Sequence, residues 1–150
     1  MGYQFAGGFA EFMIIPNEVI RVNGVNKIPE NVSFDEAAVT EPLACVLNSQ
    51  QILQITKGDV VLVMGSGPIG CLHVRVARAL GAAKVFLADI NGGRVKLAAD
   101  VVKPDATIDM STQDLATELK KLTDGRGPNI IITAAPSGKA QERSEEHTSE

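Results

Sequence analysis

Three glycines spaced G-x-G-x-x-G, Gly65, Gly67 and Gly70 in the stretch GSGPIG, follow directly on the aliphatic run VVLVM, and an aspartate, Asp89, closes the next apolar run, KVFLAD. In a strand-turn-helix unit such glycines have separate jobs. The first permits the tight turn, the second lets the backbone approach a diphosphate, and the third lets the helix pack closely on the sheet. Ser66, Pro68 and Ile69 complete the turn and open the helix, where unpaired N–H groups and the helix dipole both favour negative charge. A carboxylate about 20 residues further on accepts from ribose hydroxyls and repels a 2′-phosphate, so Asp89 points to NAD in preference to NADP. Arg94 either tempers that preference or lies along the adenine. The plain alternative is a glycine turn that only joins strand to helix; the buried strand before it, the amphipathic helix after it and the acid at Asp89 together weigh against that.

A second candidate is Glu41, a carboxylate in the mostly apolar stretch TEPLACVLN, beside Pro42. Such a residue is often simply exposed. A catalytic zinc, however, takes three protein ligands and leaves one position open, and a carboxylate can be one of the three. Spacing alone leaves both readings open. Cys45 and Cys71, the only cysteines, form no C-x-x-C pair and read as reduced core thiols. His73, among Leu72, Val74 and Val76, reads as a packed or surface histidine rather than a proton shuttle. Asp59 and the TDGRG segment read as turn chemistry.

These residues need elements to hold them. GGFAEFMIIP and EVIRVNG, punctuated by Gly, Asn and Pro, read as strands. Ser33 and Glu36 in SFDE form a capping-box pattern that opens a helix over about residues 35–55, kinked by Pro42. Then come a strand at 60–64, a helix from Pro68 to Leu80 stopped by Gly81, the strand KVFLAD, a short helix around Arg94 to Asp100, and a strand at 106–109. A helix over about 112–122 and the strand NIIIT follow. Strands alternating with helices at this spacing, and strands with no polar side, predict an α/β fold: a Rossmann-type parallel sheet with helices on both faces. With about four strands it is incomplete against a six-stranded dinucleotide fold. Residues 34–142 make up that domain, and residues 143–150, RSEEHTSE, break so abruptly from what precedes that they read as an artefactual or disordered tail.

The chain has 150 residues and a net charge of −4, with both signs interspersed, which argues against nucleic acid as a partner. No apolar run approaches the roughly 18 residues of a membrane span, and the start has neither a basic leader nor a cleavage site, so a cytoplasmic location is expected.

In order and spacing, GGFAEFMIIP, TEPLACVLN, GSGPIG, Asp89 and LTDGRGPNIIITAAPSG resemble the zinc-dependent medium-chain dehydrogenases, sorbitol (L-iditol) dehydrogenases above all. The resemblance covers about residues 7–141. It implies that Glu41 lies at a catalytic zinc, as ligand or through a bound water, and that residues 1–33 are the last β strands of a GroES-like catalytic domain. The family's other zinc ligands, a Cys and a His-Glu pair, are missing from this chain, so the isolated fragment is expected to be inactive. The parent is expected to be a homo-oligomer that oxidises a secondary alcohol of a polyol by hydride transfer to NAD+. A threonine or simple alcohol dehydrogenase, and a non-catalytic NAD-binding module, are the alternatives.

Overall fold

A computed structural model describes residues 5–136, 138 and 142. The chain divides into two compact units, Met1–Ala38 and Val39–Glu150.

In the first unit the described residues form two short helices, α1 (Asn17–Arg21) and α2 (Phe34–Ala38), and no strand. This corrects the expectation of strands at GGFAEFMIIP and EVIRVNG. A strand needs a partner for its backbone N–H and C=O groups, and among the described residues of this unit there is none. A local solution takes its place over Asn17–Arg21. Pro16 precedes the helix in extended conformation, Glu18 sits in its first turn and Arg21 in its last, each where the dipole favours it. Asn23 then turns left-handed (φ 55°), and the Gly24 N–H closes the end by donating to the Val19 carbonyl at 2.8 Å. At α2 the capping box forms as expected. The Glu36 N–H donates to Ser33 Oγ at 3.2 Å; in return the Ser33 N–H and hydroxyl donate to Glu36 Oε2 at 2.8 and 2.9 Å, and these last two bonds lower the Glu36 pKa.

The single kinked helix expected over 35–55 is instead α2 and a separate α3 (Thr40–Ile52), interrupted at Val39. Pro42 accounts for the break. Inside a continuous helix it would lack an N–H for the Ala38 carbonyl and its ring would strike that group; restarting at Thr40 places it in a first turn, where no N–H is required.

In the second unit a parallel four-stranded sheet runs in the order β3 (Ala106–Asp109), β2 (Lys84–Asp89), β1 (Val60–Met64), β4 (Ile130–Thr133). Alternation along the strands builds two cores. Val61, Val63, Val85 and Leu87 pack with Val74 and Ala77 of α4 (Pro68–Ala79) and Ala98 and Val102 of α5 (Gly92–Val102). On the opposite face Leu62, Met64, Phe86 and Ile108 pack with Leu115 and Leu119 of α6 (Leu115–Leu122). Burying each Val, Leu, Ile, Phe or Met among these contributes roughly 1.5–3 kcal/mol. The incomplete Rossmann-type α/β fold read from the sequence is thus the one observed.

Helix ends shift for identifiable reasons. α5 begins at Gly92, earlier than expected, because the Asn91 side chain caps it by accepting from the Arg94 N–H at 3.0 Å. α6 begins late because Asp114 caps it through the Thr117 N–H, while Asp109 gathers Ser111 into a turn before it. The TDGRG segment is a turn, with Asp124, Gly125 and Gly127 all at positive φ.

One polar link crosses the core. Gln50 of α3, with no exposed surface, donates from Nε2 to the His73 carbonyl (2.9 Å) and lies 3.0 Å from His73 Nδ1 on α4. The geometry needs His73 Nδ1 unprotonated, and burial pushes its pKa down. A depressed histidine pKa gives stability that is complete above the ordinary imidazole value near 6.5 and is lost as pH falls through the folded-state value. The urea midpoint should therefore drop between pH 7.5 and 5.5. His73→Gln should flatten that drop; an unchanged slope would dismiss the role.

Candidate functional site

The strand order places the site. β1 is the switch point, with β2 on one side and β4 on the other, and in such sheets ligands bind in the crevice beyond the carboxyl ends of the strands. Gly65 leaves β1 there with φ +112°, a conformation that favours glycine, and its N–H donates to the Ala88 carbonyl at 2.7 Å. A Cβ at Gly65 would stand 2.8 Å from the Ala134 carbonyl oxygen, and one at Gly70 would strike the Gly65 carbonyl oxygen. Both glycines are required by the fold itself. Gly67 is different. Its φ of −74° suits any residue, and a Cβ there would meet nothing within 4 Å.

Gly67 is also the N-cap of α4, and no side chain caps that end. Helix geometry leaves the first N–H groups without intrahelical acceptors, and Pro68 contributes none of its own. Pro68 and Ile69 at this end are exposed, and among the described residues no side chain accepts from its N–H groups, so the positive end of the dipole is presented outward. Ser66, Gly67 and Pro68 form one wall of a cleft of about 500 Å3, and Arg94, Leu97 and Val101 of α5 form the other.

Asp89 lies behind this wall, only 7% exposed. The Ser66 N–H and hydroxyl both donate to its Oδ2, at 2.7 and 2.8 Å, and the Asn91 N–H donates to Oδ1 at 3.0 Å. Burial pushes the carboxyl pKa up; the bonds from Ser66 and Asn91, with the Arg94 guanidinium nearby, outweigh it and hold the group below its ordinary value. Asp89 is thus ionised at neutral pH and joins the glycine turn to the β2–α5 turn.

The structure brings Ser66, Gly67, Pro68 and Arg94 onto the cleft, with Gly65, Gly70 and Asp89 as its frame. Ile69 is 42% exposed at the start of α4 and is not on the cleft lining. Leu97 and Val101, both exposed, were not singled out from sequence; Leu97 was an apolar residue within the expected helix, and Val101 lay just beyond its expected end. Cys71 also lines the cleft, half-buried, its thiol pushed up by burial more than Arg75 lowers it, which leaves it protonated and inert.

Glu41 lies elsewhere, exposed in the first turn of α3, where an acid suits the dipole, with Cys45 Sγ donating to its Oε1 at 3.6 Å. Among the described residues no three His, Cys, Asp or Glu side chains gather as a metal site. Nor is any helix among them long and apolar enough to cross a membrane.

An open parallel sheet with a glycine turn at its switch point defines a Rossmann-type α/β domain. Residues 68–150, more than half the chain, match the zinc-binding dehydrogenase family, and the chain belongs to that family. It is 34% identical over 143 residues to the sorbitol dehydrogenase of Halalkalibacterium halodurans, a match covering 93% of this chain and 40% of that protein. Among solved structures, an alcohol dehydrogenase from Thermus sp. ATN1 superposes with a TM-score of 0.73 at 25% identity, over 81% of this chain and 35% of that one. A structure described as a short chain alcohol dehydrogenase from Escherichia coli CFT073, in complex with NADH, gives a TM-score of 0.67 at 33% identity, over 74% of this chain and 32% of that one. The chain thus spans about two fifths or less of the length of these relatives.

The glycines make separable predictions. Gly70→Ala should cost about 1–3 kcal/mol or more in denaturant unfolding, because the new methyl meets backbone. Gly67→Ala should cost less, about 0.5–1 kcal/mol, the ordinary difference between glycine and alanine at a helix N-cap. Equal losses at both positions would contradict the division between them.

Proposed function

We propose that this chain is the dinucleotide-binding portion of a zinc-dependent NAD(H) oxidoreductase that oxidises a secondary alcohol of a polyol, sorbitol- or L-iditol-like. The carrying observation is Gly67, a glycine that neither backbone conformation nor internal packing requires, standing at an uncapped helix N-terminus on the wall of a cleft. A site that takes a diphosphate against its backbone needs such a position. In this reading the outward N–H groups at the start of α4 hold the pyrophosphate. Asp89, kept ionised and oriented by Ser66 and Asn91, accepts from the adenosine ribose, and Arg94 lies beside it. The residues present fit the cofactor, which when bound accepts the hydride. The similarity to a sorbitol dehydrogenase and to an alcohol dehydrogenase solved with NADH supports the substrate class and the cofactor.

The metal fits less well. Glu41 is the residue we assign to zinc, but one carboxylate with Cys45 beside it falls short of the three protein ligands a catalytic zinc takes, and the described residues bring no others to it. No step through the metal is derived from this chain. A cytoplasmic setting and a homo-oligomeric parent belong to the same reading.

The test is NADH fluorescence titration of the chain. Gly67→Ala should weaken NADH binding about tenfold or more, about 1.4 kcal/mol, without a matching loss of stability. Asp89→Ala should abolish the preference for NADH over NADPH. Wild-type affinity in the first and unchanged preference in the second would reject the assignment.

A further inference from the structure

Asp89 is more heavily engaged than a ribose-binding acid needs to be. An ionised carboxylate offers about four acceptor positions on its two oxygens. Oδ2 takes two donors, the Ser66 N–H and the Ser66 hydroxyl, and Oδ1 takes the Asn91 N–H. Among the described residues that leaves one position, on Oδ1, for a ribose that carries two hydroxyls. Of the three donors, two are backbone groups fixed by the turns. The third is a side chain 4% exposed that the turn geometry does not require.

Resting on the dinucleotide reading above, we propose that the Ser66 hydroxyl is a specificity-setting group that restricts Asp89 to a single hydroxyl of the adenosine ribose. Ser66 is a positioning residue, since it acts through the carboxylate. Its removal vacates the second position on Oδ2, and the diol is then gripped through both hydroxyls. The same three donors explain how Asp89 stays ionised at 7% exposure before any ligand arrives.

Calorimetric titration of the chain with ADP, 2′-deoxy-ADP and 3′-deoxy-ADP, beside Ser66→Ala and with thermal melts of both proteins, reads this directly. On wild type, one deoxy analogue should bind within about twofold of ADP and the other about tenfold more weakly, the effect of one hydrogen bond to a charged acceptor. On Ser66→Ala both analogues should fall about tenfold below ADP, and ADP itself should bind more tightly than to wild type. A general loosening of the turn would weaken all three ligands alike and would not create sensitivity to the second hydroxyl. Equal losses for both analogues on wild type, or the wild-type pattern persisting in Ser66→Ala, overturn the proposal while leaving the dinucleotide reading in place. ADP binding to neither protein removes that reading as well. The wild-type pattern tests the idea without any variant.

Discussion

The constraint on which the second unit depends is the need to satisfy one buried negative charge. A carboxylate withdrawn from water is costly unless donors surround it, and Asp89 finds them only if the turn after β1 and the turn after β2 stand side by side. The register Met64↔Ala88 and the Gly65 N–H on the Ala88 carbonyl bring them there. Charge-assisted bonds of this kind are roughly twice as strong as neutral ones. They therefore hold the start of α4 and the start of α5 at a set separation, and the cleft lies in the space between.

The three glycines show how a motif divides its labour. Two are fixed by internal geometry, one through a left-handed backbone and a close carbonyl, the other through contact with that same turn. The middle one answers to neither. A motif read as a unit hides this distinction, and only the surroundings of each Cβ direction separate a folding requirement from a binding requirement.

Most of the α/β unit was legible because its signals are local or periodic. Apolar runs marked β1, β2 and β4, and Gly81 marked the end of α4; in the first unit Ser33 with Glu36 marked a helix start. What was not legible depends on partners. The run EVIRVNG has strand composition, yet without a neighbouring strand its Pro16 entry and Asn23–Gly24 exit make a helical turn. Two glycines at 92 and 93 masked the start of α5, since glycine is a poor helix former and the deciding group was the Asn91 side chain. In the site, the glycines and Asp89 were readable from spacing. The engagement of Asp89 by the Ser66 hydroxyl was not, because it joins two loops through a side-chain rotamer. Gln50, in the last turn of α3, carried no sequence signal at all; its Nε2 bonds to α4, yet among the described residues its Oε1 has no hydrogen-bond partner.

The sheet order also governs how the chain assembles. β1 pairs with β2 across a single helix but with β4 only after α4, β2, α5, β3 and α6 have been made, a link strengthened by the Asn129 side chain accepting from the Val60 N–H at 2.9 Å. Such distant pairings close late because the loop entropy comes first. During synthesis the most apolar strand of the sheet therefore waits with one edge bare until residues 130–133 leave the ribosome, and that interval is when the nascent chain is most exposed to clumping and most in need of a chaperone's cover.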